Sequence, residues 1–167
     1  GQYLIHAVQG DFGVSLDQRR PVTQIYGEKF SETLKLSIWA LGLSISAGMI
    51  FGIVTAVMRD AWYSKWLMRL VSIFYSIPGF IISILLILIF SFYFKILPSK
   101  GGGTPRHYIM PVIALSLHPI ASITRYVRTS LLETITQDYI RTAVAKGVGK
   151  WGVITRHALR NALIPAV

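Results

Sequence analysis

The stretch that decides the fold is LSIWALGLSISAGMIFGIVTAVM, which runs from Leu36 to Met58 and contains no charged residue. A second uncharged stretch, LVSIFYSIPGFIISILLILIFSFYF, runs from Leu70 to Phe94. Each is longer than the roughly 20 apolar residues that an α-helix needs to cross the hydrocarbon core of a bilayer. The two stretches therefore predict membrane-spanning helices, with Ser31 as the N-cap of the first.

A third apolar run, 107–124, is shorter and includes two histidines and two prolines. Arg125 and Arg128 can extend it, because their long side chains reach toward the interface while the stems stay in apolar surroundings. The sequence thus predicts an all-α, polytopic transmembrane bundle with spans at about 35–58, 70–94 and 107–128. The chain as a whole, 1–167, is expected to form part of a single membrane domain.

Composition supports a membrane protein and excludes several other classes. Only 14% of the residues are charged and the mean hydropathy is +0.54, whereas soluble domains hold about 25% charged residues. The chain has no Cys, so neither a disulfide nor a thiolate metal site is possible. The net charge of +10 lies at the ends of apolar runs, which does not favour a nucleic-acid partner.

The distribution of Lys and Arg predicts the orientation, because cytoplasmic loops carry an excess of these residues. It places 59–69 and 129–160 in the cytoplasm, and residues 1–34 and the loop at 95–107 outside. Residues 161–167 are predicted to begin another span. We expect the chain to be an internal piece of a longer protein with an earlier span before residue 1.

Several polar or small residues interrupt the apolar runs. Gly48 and Gly52 form a G-x-x-x-G pair, which lets a second helix approach closely. Pro78 predicts a kink in the second span, with a static bend favoured over a hinge. His118 either lines a polar path or is a hydrogen-bonded structural residue, and the second reading is favoured. The chain has no P-loop or H-E-x-x-H motif and no acid within the first two spans.

The basic segment 138–151 has the pattern of a short amphipathic helix. Ile140, Ala143 and Gly147 fall on its apolar side. Its polar side carries Asp138, Arg141 and Lys146. Such a helix can rest on anionic lipid or dock against a partner protein, and the residues alone leave both readings open.

This segment resembles the cytoplasmic loop of ABC-transporter permease subunits, whose signature is E-A-A-x-x-x-G. Ala143 and Gly147 match that signature, whereas Arg141 stands at the Glu position. The stretches DYIRTA, RHALRNALIP, ETLKLS, SIPGF and LPSKG are similar to the dipeptide/oligopeptide branch of the family, and GDFGVS resembles its B-type member. The resemblance covers nearly the whole chain.

The resemblance implies a MetI-like permease of about six spans in the bacterial inner membrane, importing peptides or similar solutes. It implies four partners: a C-type permease, two cytoplasmic ATP-binding subunits and an external substrate-binding protein. The subunit itself would hydrolyse nothing and would need no cofactor or metal. Asp138, Arg141, Ala143, Lys146 and Gly147 would form the ATPase-coupling helix, and the candidates for the solute pathway are Pro78 and His118.

Two other functions compete with import. One is a membrane scaffold or assembly protein whose basic helix binds lipid or a partner other than an ATPase. The other is an intramembrane enzyme, which would need buried acid or His pairs that these spans lack.

Overall fold

The protein is helical throughout most of the region that its computed structural model describes, which is residues 10, 12–101, 103–138, 140 and 152. This confirms the predicted all-α class. Chain contacts divide the protein into two compact units, 1–39 and 40–167, and the interhelical contacts below all lie within the second. The helices of the described residues are α1 (Val22–Val57), α2 (Trp62–Ser76), α3 (Gly79–Leu86), a π-helical segment (Ile87–Tyr93) and α4 (Arg106–Ile135).

Helix α1 begins nine residues before the predicted cap, so the prediction of an N-cap at Ser31 is wrong. The carbonyl of Pro21 accepts the first helical hydrogen bond, from the N–H of Ile25 at 3.2 Å. The charged residues that follow do not stop the helix, because ion pairs suit its surface: Glu32 contacts Lys35 one turn away at 2.8 Å. Charge therefore marks the end of the apolar run but not the end of the helix.

The second apolar run is divided between two helices. Helix α2 meets the segment Gly79–Tyr93, which is α3 together with the π-helical part, at an angle of 103°. Ile77 at the corner has an extended conformation (φ −84°, ψ 125°). Pro78 has no N–H to donate, and its ring disfavours the helical region for the residue before it. The predicted kink at Pro78 is therefore present, and it is a corner rather than a gentle bend.

Helix α4 continues through both of its prolines, Pro111 and Pro119, and ends at Ile135. It is longer than the predicted span of 107–128 because its apolar side continues beyond Arg128. Leu131 is completely buried there, and it packs in a cluster with Ala56, Val127 and Ile140.

Helices α1 and α4 pack along two glycines, a contact that we name the α1–α4 seam. A Cβ added to Gly48 would lie 2.7 Å from the Cβ of Ile123, and one on Gly52 would lie 2.6 Å from the Cβ of Val127. The Thr124 hydroxyl donates to the Gly48 carbonyl across the seam at 3.4 Å. The G-x-x-x-G pair thus has a partner within the chain, and that partner is α4.

The C-terminal end of α1 is held by side chains from two other helices. The carbonyl of Thr55 accepts a hydrogen bond from the Ser64 hydroxyl of α2 at 3.1 Å and another from Nε of Arg128 in α4 at 3.3 Å. The last carbonyls of a helix have no partner within it, and cations near that end are favourable. The Thr55 carbonyl therefore joins three helices, with Arg128 as its partner from α4 and Ser64 as its partner from α2.

Candidate functional site

A polar stack connects α2 with the middle of α4, and we name it the Tyr75 stack. The Tyr75 ring lies 4.9 Å from the His118 ring, centroid to centroid, with an interplanar angle of 17°. The guanidinium carbon of Arg125 lies 4.7 Å from the centroid of the same Tyr75 ring. The Tyr75 ring thus contacts both side chains at once.

The helical repeat explains how α4 presents this pair. His118 and Arg125 are two helical turns apart, so they point the same way and are separated along the axis by about 10.5 Å. One aromatic ring on α2 can therefore contact both side chains. Stacking and cation–π contacts are each worth about 0.5–1.5 kcal/mol, which is enough to fix the ring but not to hold the helices together alone.

The position of the stack is unusual for polar groups. Helix α4 is long and apolar enough to cross a membrane, and His118 lies within its uncharged run 107–124, which Arg125 directly follows. Ionisable residues at depth in membrane helices face protein or water rather than lipid, and they usually mark functional sites. Within the isolated chain Tyr75 is 41% exposed, and His118 and Arg125 are also exposed. The stack therefore borders a space outside this chain's own packing.

The stack adjoins the corner between α2 and α3. Tyr75 lies in the last turn of α2, and Pro78 begins the corner three residues later. A Cβ added to Gly79 would meet nothing within 4 Å, so the far side of the corner is open. The structure thus brings Pro78 and His118, the two pathway candidates from the sequence, into one region through Tyr75.

Sequence reasoning did not find Tyr75 or assign Arg125 to this region. The sequence predicts that Arg125 lies at the end of a span, because a cation after an apolar run usually marks the membrane interface. The available signal was the two-turn spacing of His118 and Arg125, together with an aromatic residue just before the proline of another span. Neither observation predicts a contact until it is known that α2 packs against α4.

The predicted coupling segment lies mostly outside the described residues. Arg141, Ala143, Lys146 and Gly147 all fall there. Asp138 is described and exposed. Ile140 is 3% exposed and packs against α1 and α4. Burial of Ile140 and exposure of Asp138 agree with the two sides assigned to this segment from the sequence.

A second feature is a wide cleft at the loop that leads into α4. Its volume is about 980 Å³, and Lys95, Lys100 and Arg106 line it together with His107. Nδ1 of His107 lies 2.7 Å from the hydroxyl of Thr104, which fixes the imidazole at the edge of the cleft. The cleft is positively charged, and the predicted topology places it outside the membrane.

Comparison with known proteins gives consistent results. Residues 48–167 match the family described as binding-protein-dependent transport system inner membrane component. The chain is 39% identical to the glutathione transport system permease protein GsiC of Escherichia coli over 165 residues, 99% of this chain and 54% of that protein. It is equally similar to GsiC of Salmonella typhimurium, at 39% over 165 residues. The chain spans about half the length of the curated relatives that it matches.

Proposed function

The chain belongs to the family of binding-protein-dependent transport system inner membrane components, and we propose that it forms the membrane pathway of an ABC importer. The protein would move peptides or similar small solutes across the cytoplasmic membrane by alternating access. The observation that carries this proposal is the family match over 48–167. The name of the GsiC relatives, which specifies glutathione transport, supports a small peptide-like solute.

The helices supply the membrane-crossing part of this function. Helices α1 and α4 are each long and apolar enough to span a bilayer, and α2 with α3 and the π-helical segment forms a broken span or a re-entrant loop. Only 33% of the most apolar window of α1 and 28% of that of α4 is buried within the chain. The remaining apolar surface is available for lipid and for other helices of the importer.

We place the solute pathway beside the Tyr75 stack and the corner at Pro78. Solutes that carry charges need polar partners as they cross the bilayer. The stack offers an imidazole and a phenol, together with a guanidinium at the end of the uncharged run of α4. The open space at Gly79 leaves room for a solute at the corner. His118 would thus act in the pathway rather than only in packing.

The energy for transport would come from separate subunits. We propose that residues 138–147 dock into a cytoplasmic ATP-binding subunit and that two such subunits hydrolyse ATP. A C-type permease would complete the membrane core, and an external binding protein would deliver the solute. Burial of Ile140 between α1 and α4 supports a mechanical link from this segment to the membrane helices.

Reconstitution tests the proposal directly. The full-length permease is expressed with its C-type permease and ATP-binding subunits and placed in proteoliposomes with the binding protein. Uptake of radiolabelled trialanine should require ATP and disappear when the catalytic Glu of the ATPases is replaced by Gln. Recovery of the permease without any ATP-binding subunit in mild detergent would instead favour a membrane scaffold, and uptake that ignores ATP would contradict import by this mechanism.

A further inference from the structure

We propose that Arg125 binds the carboxylate of the transported solute as it passes the corner between α2 and α3. The inference rests on the proposed import function and adds the substrate class, which is small solutes with a free carboxylate. It also assigns a specificity-determining role to one residue of the Tyr75 stack.

The stack leaves the binding edge of the guanidinium available. The guanidinium carbon of Arg125 lies over the Tyr75 ring, 4.7 Å from its centroid, and this contact is a cation–π interaction. The five N–H donors of a guanidinium point outward in its plane, and two of them match the two oxygens of a carboxylate. The contact with Tyr75 therefore positions this cation, and its N–H donors can still bind a carboxylate.

No residue in the described part of the chain uses those donors. The Arg125 guanidinium takes part in no hydrogen bond or ion pair there, whereas Arg128, one turn later, donates to the Thr55 carbonyl. The described ion pairs involve other cations: Arg20 with Glu28, Lys35 with Glu32, and Arg59 with Asp60. A guanidinium held in a membrane helix without an anion is unfavourable. A solute carboxylate would supply the missing anion.

The rest of the stack suits a passing ligand rather than a permanent ion pair. His118 also stacks on the Tyr75 ring, and this second contact restrains the ring over which the Arg125 guanidinium lies. Arg125 itself is exposed within the chain. A positioned and accessible cation is what transient carboxylate binding requires.

The test compares two probes that differ only in charge, trialanine and its C-terminal amide. ATP-driven uptake of each is measured with the full importer for the wild type, Arg125→Gln and Arg125→Lys. Because the binding protein is the same in every variant, its own preference cancels when variant and wild type are compared. Arg125→Gln should raise the KM of the acid relative to that of the amide by about tenfold or more, since a charge-assisted pair of hydrogen bonds is lost. Arg125→Lys should raise the same ratio by a smaller factor, because Lys keeps the positive charge but lacks the paired N–H donors of a guanidinium.

Arg69 provides the matched control. Its guanidinium also stacks on an aromatic ring, Trp66 at 5.1 Å, but both residues belong to α2. Arg69→Gln removes one charge and one cation–π contact from the same protein and should leave the acid-to-amide ratio unchanged. If both variants raised the KM of the acid relative to that of the amide by the same factor, net charge alone would explain the effect. That result would overturn the assignment to Arg125.

A second readout needs no solute. The chain has no Cys, so Ser76→Cys beside Tyr75 can be labelled selectively in a full-length protein freed of other cysteines. The measured quantity is the labelling rate of this Cys with a negatively charged sulfonate thiol reagent, divided by its labelling rate with a positively charged trimethylammonium reagent. Arg125→Gln should lower this ratio by about threefold or more, because one positive charge is removed nearby. An unchanged charge preference, or equal losses of acid and amide uptake, would overturn the proposal. A wild-type importer that moves neither peptide with ATP would instead contradict the proposed function itself.

Discussion

A single methyl group at the α1–α4 seam should destabilise the protein, although the same change elsewhere in α1 should stabilise it. In Gly52→Ala the new Cβ would lie 2.6 Å from the Cβ of Val127 and 3.1 Å from the carbonyl oxygen of Thr124. Carbon atoms in good contact are about 3.5–4.0 Å apart. The two helices must therefore separate by about 1 Å, or Val127 must move.

Val127 has little freedom to move. It is 2% exposed, and a β-branched side chain in a helix has one strongly preferred rotamer. Forcing extra atoms into a packed interior costs about 1–3 kcal/mol. Replacing Gly by Ala in a helix also contributes about 1 kcal/mol of stability through helix propensity, which opposes the clash.

Gly42→Ala isolates the propensity gain, because a Cβ on Gly42 would meet nothing within 4 Å. The stability difference between Gly42→Ala and Gly52→Ala should therefore equal the clash alone, about 1–3 kcal/mol. The measurement is an SDS titration of the purified full-length permease, followed by Trp fluorescence and compared with wild type. If Gly52→Ala were as stable as Gly42→Ala, close packing at Gly52 would be refuted.

Three further changes test other parts of the molecule. Arg128→Gln should lower stability in the same titration by about 1.5 kcal/mol, because the Thr55 carbonyl loses a charged donor; unchanged stability would contradict that contact. His118→Leu should reduce ATP-driven uptake or the yield of assembled importer, and normal values for both would show that the stack does not need an imidazole. Gly147→Leu should abolish uptake while the permease stays in the membrane if the segment docks into an ATPase groove. If the segment rests on lipid, burial of added apolar area at about 25 cal/mol per Å² should instead preserve or strengthen its binding.

The spans could be predicted because hydrophobic length is a local property of the sequence. A run without charges, such as Leu36–Met58, has few alternatives to a membrane helix once it exceeds the thickness of the hydrocarbon core. The same reasoning failed at Ser31, because the charged residues around it are compatible with a helix when Glu32 and Lys35 form an ion pair on its surface. Composition therefore located the apolar part of α1 but not the start of the helix.

The candidate site depended on information that no local pattern contains. Pro78 predicted a kink, yet the angle of 103° follows from Ile77 adopting an extended conformation and from the packing on both sides. Tyr75 and Arg125 are far apart in the sequence, and their contact exists only because α2 crosses α4 at that level. His118 could be singled out alone, because a polar residue in an apolar run is conspicuous, but its neighbours could not.

Two arginines one helical turn apart show why residue type and depth are insufficient to assign a role. Arg125 and Arg128 both follow the apolar run of α4, and the sequence predicts that both are cations at the end of a span. Arg128 donates to the carbonyl of Thr55, so its charge is used where the C-terminal end of α1 carries partial negative charge. The Arg125 guanidinium instead lies over the Tyr75 ring, and no described residue accepts a hydrogen bond from it. The first arginine holds helices together, whereas the second contacts an aromatic ring and pairs with no anion among the described residues. That difference in partners, rather than any difference in sequence pattern, makes Arg125 the residue that a passing carboxylate would meet.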